Sequence, residues 1–251
     1  MRGGMIDMES NTTLVQCYPA HEAVPDGAGP FPGVIVAHDQ FGLSPHIKGI
    51  ANRLAHEGFY ALAPNFYALP TSVADAAPLI MRPSRAGYFE YADEAGAREL
   101  ASLLSDERAE AILQQAIGYA TTRSKVRSGG IGLLGFATGA RIAFLAACRN
   151  ATDVRACVCF APKGIASPAA GQLAAQLNAP LLLLYAELDT TISRKEREAV
   201  RELLTALGKN FSMEVFHDAG EDFFCEERDG YRIHASSVAW EKTLALFRRC
   251  L

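Results

Sequence analysis

The sequence lacks the features that mark membrane-spanning, exported or nucleic-acid-binding proteins. No apolar run reaches the roughly 18 residues that a membrane-spanning helix needs. The first ten residues lack the apolar core of a signal peptide. A formal net charge of −4 offers no basic surface for nucleic acid or anionic lipid. These absences predict a cytoplasmic protein that acts on or binds a small molecule, with no nucleic acid and no membrane partner. They leave the oligomeric state open.

Cysteine is sparse, with six residues in 251. Without an export signal, this number is typical of reduced thiols in the cytosol. Cys157 and Cys159 lie two apart on a predicted strand and therefore face one side. We interpret them as buried thiols, because no second pair is spaced to complete a zinc site. We expect no cofactor and no metal, although binding of Mg²⁺ or Ca²⁺ by carboxylates stays open.

Apolar runs bounded by turn residues alternate with segments of helical period, and hydrophobic residues make up 49% of the chain. This pattern predicts an α/β fold with a mostly parallel central sheet flanked by helices on both faces. The predicted strands are Thr13–Tyr18, Gly33–His38, Tyr60–Leu62, Gly130–Gly135, Ala156–Phe160, Pro180–Tyr185 and Ser212–Phe216. The predicted helices are Ile47–Glu57, Glu107–Thr121, Thr138–Cys148, Ala169–Leu177, Ser193–Ala206 and His234–Arg249.

We expect residues 1–251 to form a single domain, since the sequence shows no repeat and no low-complexity linker. The least regular stretch is Pro64–Tyr91, which carries Arg82 and Arg85. In such a sheet we interpret it as an excursion over the ligand site rather than a domain boundary.

Residues 131–146 (IGLLGFATGARIAFLA) predict a strand, a tight turn and a helix. Their Gly135-Phe-Ala137-Thr-Gly139 segment has the spacing of the G-x-nucleophile-x-G elbow of α/β-hydrolases. The position that would carry serine or cysteine holds Ala137, whose methyl group cannot attack a carbonyl. An elbow kept for packing alone is the simpler alternative.

Polar residues follow four predicted strands, where an open α/β sheet binds its ligands. Together with the runs around them, these segments resemble the dienelactone hydrolase family of the α/β-hydrolase fold over nearly the whole chain. The matching segments are Pro32–Leu43, Ala55–Pro64, Gly132–Ala146, Leu184–Asp189 and Phe216–Phe224.

The resemblance implies a catalytic cysteine at position 137 and a histidine at position 221, where this chain has Ala137 and Glu221. Asp189 matches the acid of the family's triad, and Asp39 stands where the family keeps a glutamate beside the nucleophile. The chain is thus identified as a divergent member that lacks the nucleophile and the triad histidine. The joint loss of two dependent groups suggests that covalent acyl transfer was given up.

The same mapping predicts a site that works without a nucleophile. The backbone N–H groups of Gln40 and Thr138 would still form an oxyanion hole. Asp189 and Glu221 would lie close together and share a proton, acting as general acid and base with Asp39. Two alternatives stay open: Glu221 turns outward or pairs with an arginine, and Asp39 caps the helix near Ser44 or bonds nearby amides.

Further side chains are predicted to contact the substrate. Arg82 and Arg85 lie in the loop that, by the resemblance, supplies an arginine to the substrate carboxylate; solvated loop charges are the alternative. His38, preferred as a structural histidine, is a reserve proton carrier. Cys225 is a candidate for a relocated nucleophile, although it lies outside any elbow and lacks an obvious base. The full set of predicted substrate-binding residues is His38, Phe41, Arg82, Arg85, Asp222 and Cys225.

The sequence therefore predicts a dienelactone hydrolase-like enzyme that acts on a small lactone, enol ester or related carbonyl compound. Non-covalent acid/base chemistry would drive hydrolysis, isomerisation, cyclisation or elimination. The alternative is a catalytically silent α/β-hydrolase-fold protein that binds a small molecule or a protein partner.

Overall fold

The computed structural model describes residues 1–8, 18–67 and 88–251. Within these ranges the chain forms an α/β fold with an eight-stranded, mostly parallel sheet and seven helices, which confirms the predicted fold class. The strands are β1 (Arg2–Met8), β2 (Tyr18–Val24), β3 (Phe31–Ala37), β4 (Tyr60–Pro64), β5 (Val126–Phe136), β6 (Val154–Phe160), β7 (Leu181–Ala186) and β8 (Phe211–Phe216). The helices are α1 (Pro45–His56), α2 (Glu94–Leu103), α3 (Asp106–Thr121), α4 (Thr138–Arg149), α5 (Pro168–Ala174), α6 (Arg194–Ala206) and α7 (Ile233–Cys250).

The chain divides into two compact units, residues 1–131 and 132–251, and β5 runs from the first into the second. In the first unit the strand order is β1-β2-β4-β3-β5. β2 is antiparallel to both of its neighbours, β1 and β4, whereas β3 is parallel to β4. Every residue of β4 is buried. Helix α1 begins at Pro45 behind Ser44, whose Oγ accepts a hydrogen bond from Ile47 N, and packs its apolar stripe inward.

The second unit has the order β5-β6-β7-β8, with β6, β7 and β8 parallel. All six residues of β7 are buried, as expected for a strand covered on both faces. Cys157 and Cys159 on β6 are free buried thiols, and their Sγ atoms lie 3.6 Å apart. Their burial confirms the interpretation of buried thiols. The contact with Cys159 and burial raise the pKa of Cys157 well above its usual value.

Six predicted strands and all six predicted helices are confirmed within the described ranges, with ends that differ by a few residues. Of the strand predicted at Thr13–Tyr18, only Tyr18 lies within the described ranges, and β2 begins there; residues 13–17 lie outside them. β1 and α2 were missed. The glycine pair in β1 gives little strand signal, and small alanine is the one fully buried residue of α2, Ala97. None of the described helices is long and apolar enough to cross a bilayer.

Candidate active site

The turn between β5 and α4 has the backbone geometry of an elbow. Ala137 has φ 46° and ψ −111°, a conformation that L-residues rarely adopt and that costs about 1–3 kcal/mol. Its N–H donates to the carbonyl of Phe160 at the end of β6 (2.8 Å). A Cβ atom on Gly135 would lie 2.4 Å from the carbonyl oxygen of Gly139. The strand end and the helix start therefore touch through backbone, which requires glycine at position 135.

Aromatic side chains pack beneath this turn. Phe136 stacks on Phe160 with ring centroids 4.8 Å apart, and Phe160 lies 4.5 Å from Phe224. Phe223 extends the contact, 6.2 Å from Phe160. All four rings are buried. They hold the elbow, the end of β6 and the loop after β8 together, so the segment containing Glu221 and Asp222 is anchored close to position 137.

Asp189 lies in the loop after β7 and is 7% exposed. Its Oδ1 accepts two hydrogen bonds from Thr191, one from the backbone N–H (2.6 Å) and one from the hydroxyl (2.8 Å). Its Oδ2 is buried and has no hydrogen-bond partner among the described residues. A buried oxygen without a donor is costly, so this atom calls for a functional explanation.

The loop that carries Asp189 is held by a buried arginine. Arg197 of α6 donates to the carbonyls of Ala186 (3.4 Å) and Ile192 (3.2 Å) and pairs with Glu187 (2.7 Å). These contacts join α6 to both ends of the loop. They therefore fix the loop in which Asp189 lies.

Glu221 lies in the neighbouring loop. The N–H of Leu188 donates to Ala219 O (3.0 Å), and that of Phe223 donates to Gly220 O (3.2 Å), so Glu221 occupies a turn beside the Asp189 loop. Glu221 is half-buried. The two loops are therefore neighbours, while the closeness of the Asp189 and Glu221 side chains and their shared proton stay predictions.

Asp222 and Cys225 make internal contacts in the same loop. Asp222 forms an ion pair with Arg228 (2.9 Å) in which both side chains are largely covered. Cys225 is buried, and its N–H donates to Asp222 O (2.9 Å). These contacts are structural ones, and the roles of both residues in substrate binding stay predictions.

At the end of β3 the first unit places His38 and Asp39 in a tightly bonded turn. Phe66 N donates to Nε2 of His38 (3.0 Å), so the ring proton lies on Nδ1, which donates to Asp39 O (2.7 Å). Oδ1 of Asp39 accepts from Phe41 N (2.9 Å). Asp39 thus bonds a nearby amide, one of the two alternatives, while the cap of α1 is Ser44.

The other residues of this segment face the protein interior. Gln40 is 9% exposed, and its carbonyl accepts from the hydroxyl of Tyr67 (2.9 Å). Burial and, to a lesser extent, the nearby Asp39 carboxylate raise the pKa of Tyr67. Phe41 is fully buried, with its ring 4.9 Å from Tyr91. A role for Phe41 in substrate binding stays a prediction, as does the oxyanion role of Gln40. Arg82 and Arg85 lie outside the described residues.

The buried ring of His38 predicts a pH dependence of stability. Burial lowers the pKa of His38 from 6.5 to about 4. Between these two pH values the His38 ring is neutral in the folded protein, whereas the same ring takes up a proton in the unfolded chain. Stability from this group is therefore complete above pH 6.5 and is lost as the pH falls toward 4. Between pH 7 and pH 5 the loss is about 2 kcal/mol.

Urea unfolding at both pH values checks this expectation. His38→Gln should lose about 2 kcal/mol less than wild type over this interval. The exposed His234→Gln is the matched control and should follow wild type. An equal loss of the free energy of unfolding between pH 7 and pH 5 in wild type and His38→Gln would contradict the role of His38.

Three residues of the site were missed by the sequence analysis. Ala161, directly after β6, has φ 50° and is a second strained alanine beside the elbow. Thr191 and Arg197 hold Asp189 and its loop. Alanine gives no sequence signal for a positive φ, whereas Asp-Thr-Thr after a buried strand is a recognisable turn signal. Among the described residues, no group of three or more His, Cys, Asp or Glu side chains is arranged to hold a metal ion.

Comparison with known proteins finds similarity over most of the chain. Residues 19–251 match the model of the Dienelactone hydrolase family. A "Putative carboxymethylenebutenolidase" of Methylorubrum extorquens is 30% identical over 237 residues, 92% of this chain and 76% of that protein. Its namesake from Escherichia coli K12 is 30% identical over 245 residues, 92% and 82% of the two chains. A solved "Putative Dienelactone Hydrolase" from Klebsiella pneumoniae has a TM-score of 0.79 at 27% identity, covering 99% of this chain and all of that one.

Proposed function

Because the chain belongs to the dienelactone hydrolase family, we propose that it is an enzyme that hydrolyses a small lactone or enol ester without a covalent intermediate. The observation that carries this proposal is Oδ2 of Asp189, a buried acceptor without a donor in the loop beside Glu221. Such an oxygen is ready to accept a proton from a bound water or substrate.

The proposed reaction is a direct addition of water. Asp189 takes a proton from water, whose oxygen bonds to the carbonyl carbon of the lactone. The N–H of Thr138 stabilises the oxyanion, because the first N–H groups of α4 have no acceptor within the helix. The carbon–oxygen bond of the ring then breaks, and Glu221 supplies the proton that the leaving oxygen takes up. Ala137 contributes no bond, and its small methyl group leaves room for the water.

The alternative function is a catalytically silent protein that binds a small molecule or a protein partner through the same loops. The observation that favours it is the methyl side chain at position 137, which removes the attacking atom of the family's covalent mechanism. The two functions differ in product formation, so one experiment separates them.

The test is product formation from a panel of lactones and enol esters in ¹⁸O-labelled water. We expect one labelled oxygen in the acid product and an unmodified protein mass throughout turnover. Asp189→Asn should lower kcat by about 10²-fold, since it removes the proposed base. Asp218→Asn, an exposed carboxylate at the end of β8, is the matched control and should keep the wild-type rate.

Two outcomes would count against the enzyme. Ligand-induced thermal stabilisation without product after hours would favour the silent binding protein. A full rate in Asp189→Asn, with circular dichroism unchanged, would remove Asp189 as the base.

A further inference from the structure

A second candidate ligand site lies in the first unit, at the opposite end of the strands from Asp39. Two adjoining cavities, of about 620 and 420 Å³, share Glu22, Val24 and Lys125 in their walls. We call them together the Glu22 groove. Phe31 N, at the start of β3, donates to Lys125 O (2.7 Å), whereas Asp39 follows the end of β3. A seven-residue strand of about 20 Å separates the two places. Within the first unit, the groove is therefore distinct from the segment that carries His38, Asp39 and Gln40.

The groove is open because β1 carries a glycine opposite Glu22. Gly4 pairs directly with Glu22 in the antiparallel register, so both residues face the same side of the sheet. A Cβ atom on Gly4 would meet no atom within 4 Å. The space above Glu22 thus depends on the missing side chain at position 4, and its size is that of cavities that take small molecules.

Positive charge predominates in the walls. Arg2, Arg123 and Lys125 line the groove. None of the three forms an ion pair with a carboxylate among the described residues, although Arg2 is near enough to Asp26 to help lower the pKa of that carboxyl. Arg123 lies over the ring of Tyr119 (4.6 Å), and Lys125 Nζ donates to the carbonyl of Ala28 (3.1 Å). Asp26, the other acidic residue of the lining, is paired with the amino group of Met1. Such a surface attracts an anion.

Glu22 adds a site for hydroxyl groups. Its Oε1 accepts a short hydrogen bond from the hydroxyl of Tyr60 (2.5 Å), which holds the carboxylate in place at the floor. Oε2 remains as an acceptor, and a fixed carboxylate binds hydroxyl donors well. The three cations and the fixed carboxylate of Glu22 together suit a small ligand that carries both a dianionic group and hydroxyl groups.

We propose that the Glu22 groove binds a small phosphate monoester that carries hydroxyl groups, such as a sugar phosphate. The phosphate is held by the guanidinium and ammonium groups of Arg2, Arg123 and Lys125, and a hydroxyl donates to Glu22. A phosphate monoester carries nearly two negative charges at neutral pH, which suits three unpaired cations better than a monocarboxylate does.

The test is isothermal titration of the full-length protein with glucose 6-phosphate, inorganic phosphate and glucose in separate experiments. We expect glucose 6-phosphate to bind at least tenfold more tightly than either of the other two. Arg2→Gln and Arg123→Gln should each weaken binding about tenfold. Gly4→Phe should abolish it, since the ring fills the groove while the extended backbone of β1 accepts it. Lys195→Gln, an exposed lysine on α6, is the matched control and should bind as wild type.

The proposal is overturned if glucose 6-phosphate does not bind at millimolar concentration, or if Gly4→Phe binds it as wild type does. Equal affinity for inorganic phosphate and glucose 6-phosphate would overturn the role of Glu22. A rise of the melting temperature with glucose 6-phosphate in wild type, absent in Gly4→Phe, is the second readout. Because these assays use no lactone or ester, their outcome is independent of the proposed hydrolase activity.

Discussion

The double variant Ala137→Cys/Glu221→His is expected to hydrolyse activated esters about 10³-fold faster than wild type. The backbone at position 137 already has the strained conformation of an elbow, so a thiol there would be presented above the strand end. An imidazole at position 221 would find an acceptor in the unpartnered Oδ2 of Asp189. Nucleophile, base and orienting acid would then be present together.

The single variants are the controls for this gain. Substitutions of groups that act together have strongly non-additive effects on the rate. The hydrolysis rates of Ala137→Cys alone and of Glu221→His alone should therefore stay within about tenfold of the wild-type rate. The measurement is p-nitrophenyl acetate hydrolysis with a burst phase, together with intact mass spectra that detect an acetylated cysteine. No gain in a folded double variant would show that positions 137, 189 and 221 do not share one site.

Gly135→Ala is expected to destabilise the protein by about 3 kcal/mol or more. The added Cβ would lie 2.4 Å from Gly139 O and 2.5 Å from Ala140 Cα, and both contacts are with backbone. Relief requires moving the end of β5 away from the start of α4, and this would also disturb the stacked rings of Phe136 and Phe160. Urea unfolding should show the loss, and poor expression of folded protein is the expected sign in the extreme case.

Gly118→Ala is the matched control. Gly118 lies in the interior of α3, where a Cβ atom meets nothing within 4 Å. The same substitution there should stabilise the protein by about 0.5–1 kcal/mol, because alanine favours the helix. A Gly135→Ala variant as stable as wild type would contradict the tight backbone contact of the elbow.

Most of the fold could be predicted from the sequence because the central strands are continuous apolar runs. β7 and β4 are buried along their whole length and stand out from their flanking turns. The part of β2 after Tyr18 was missed because its sequence, YPAHEAV, contains proline, histidine and glutamate. It becomes a strand through its two antiparallel neighbours, which no local pattern reports.

The candidate site was predictable in its order along the chain and less so in its contacts. The elbow spacing around Ala137 led to the strained turn, and Asp189 was found at the strand end where it lies. The donors that hold Asp189 come from Thr191 in the same turn, whereas the arginine that holds its loop comes from α6 through tertiary packing. The burial of His38 could not be predicted either, because it depends on residues brought together by the fold. Asp39 O and Phe66 N bond its ring nitrogens, and the rings of Phe66 and Tyr67 pack against it.

The positive φ of Ala137 has an evolutionary consequence. Its backbone is shaped by Gly135, Gly139 and the carbonyl of Phe160, and the side chain of residue 137 takes no part in this. Mutation at this codon can therefore exchange sulfur, hydroxyl or methyl without reshaping the main chain. The shape of this turn can therefore persist in descent independently of the side chain that residue 137 carries.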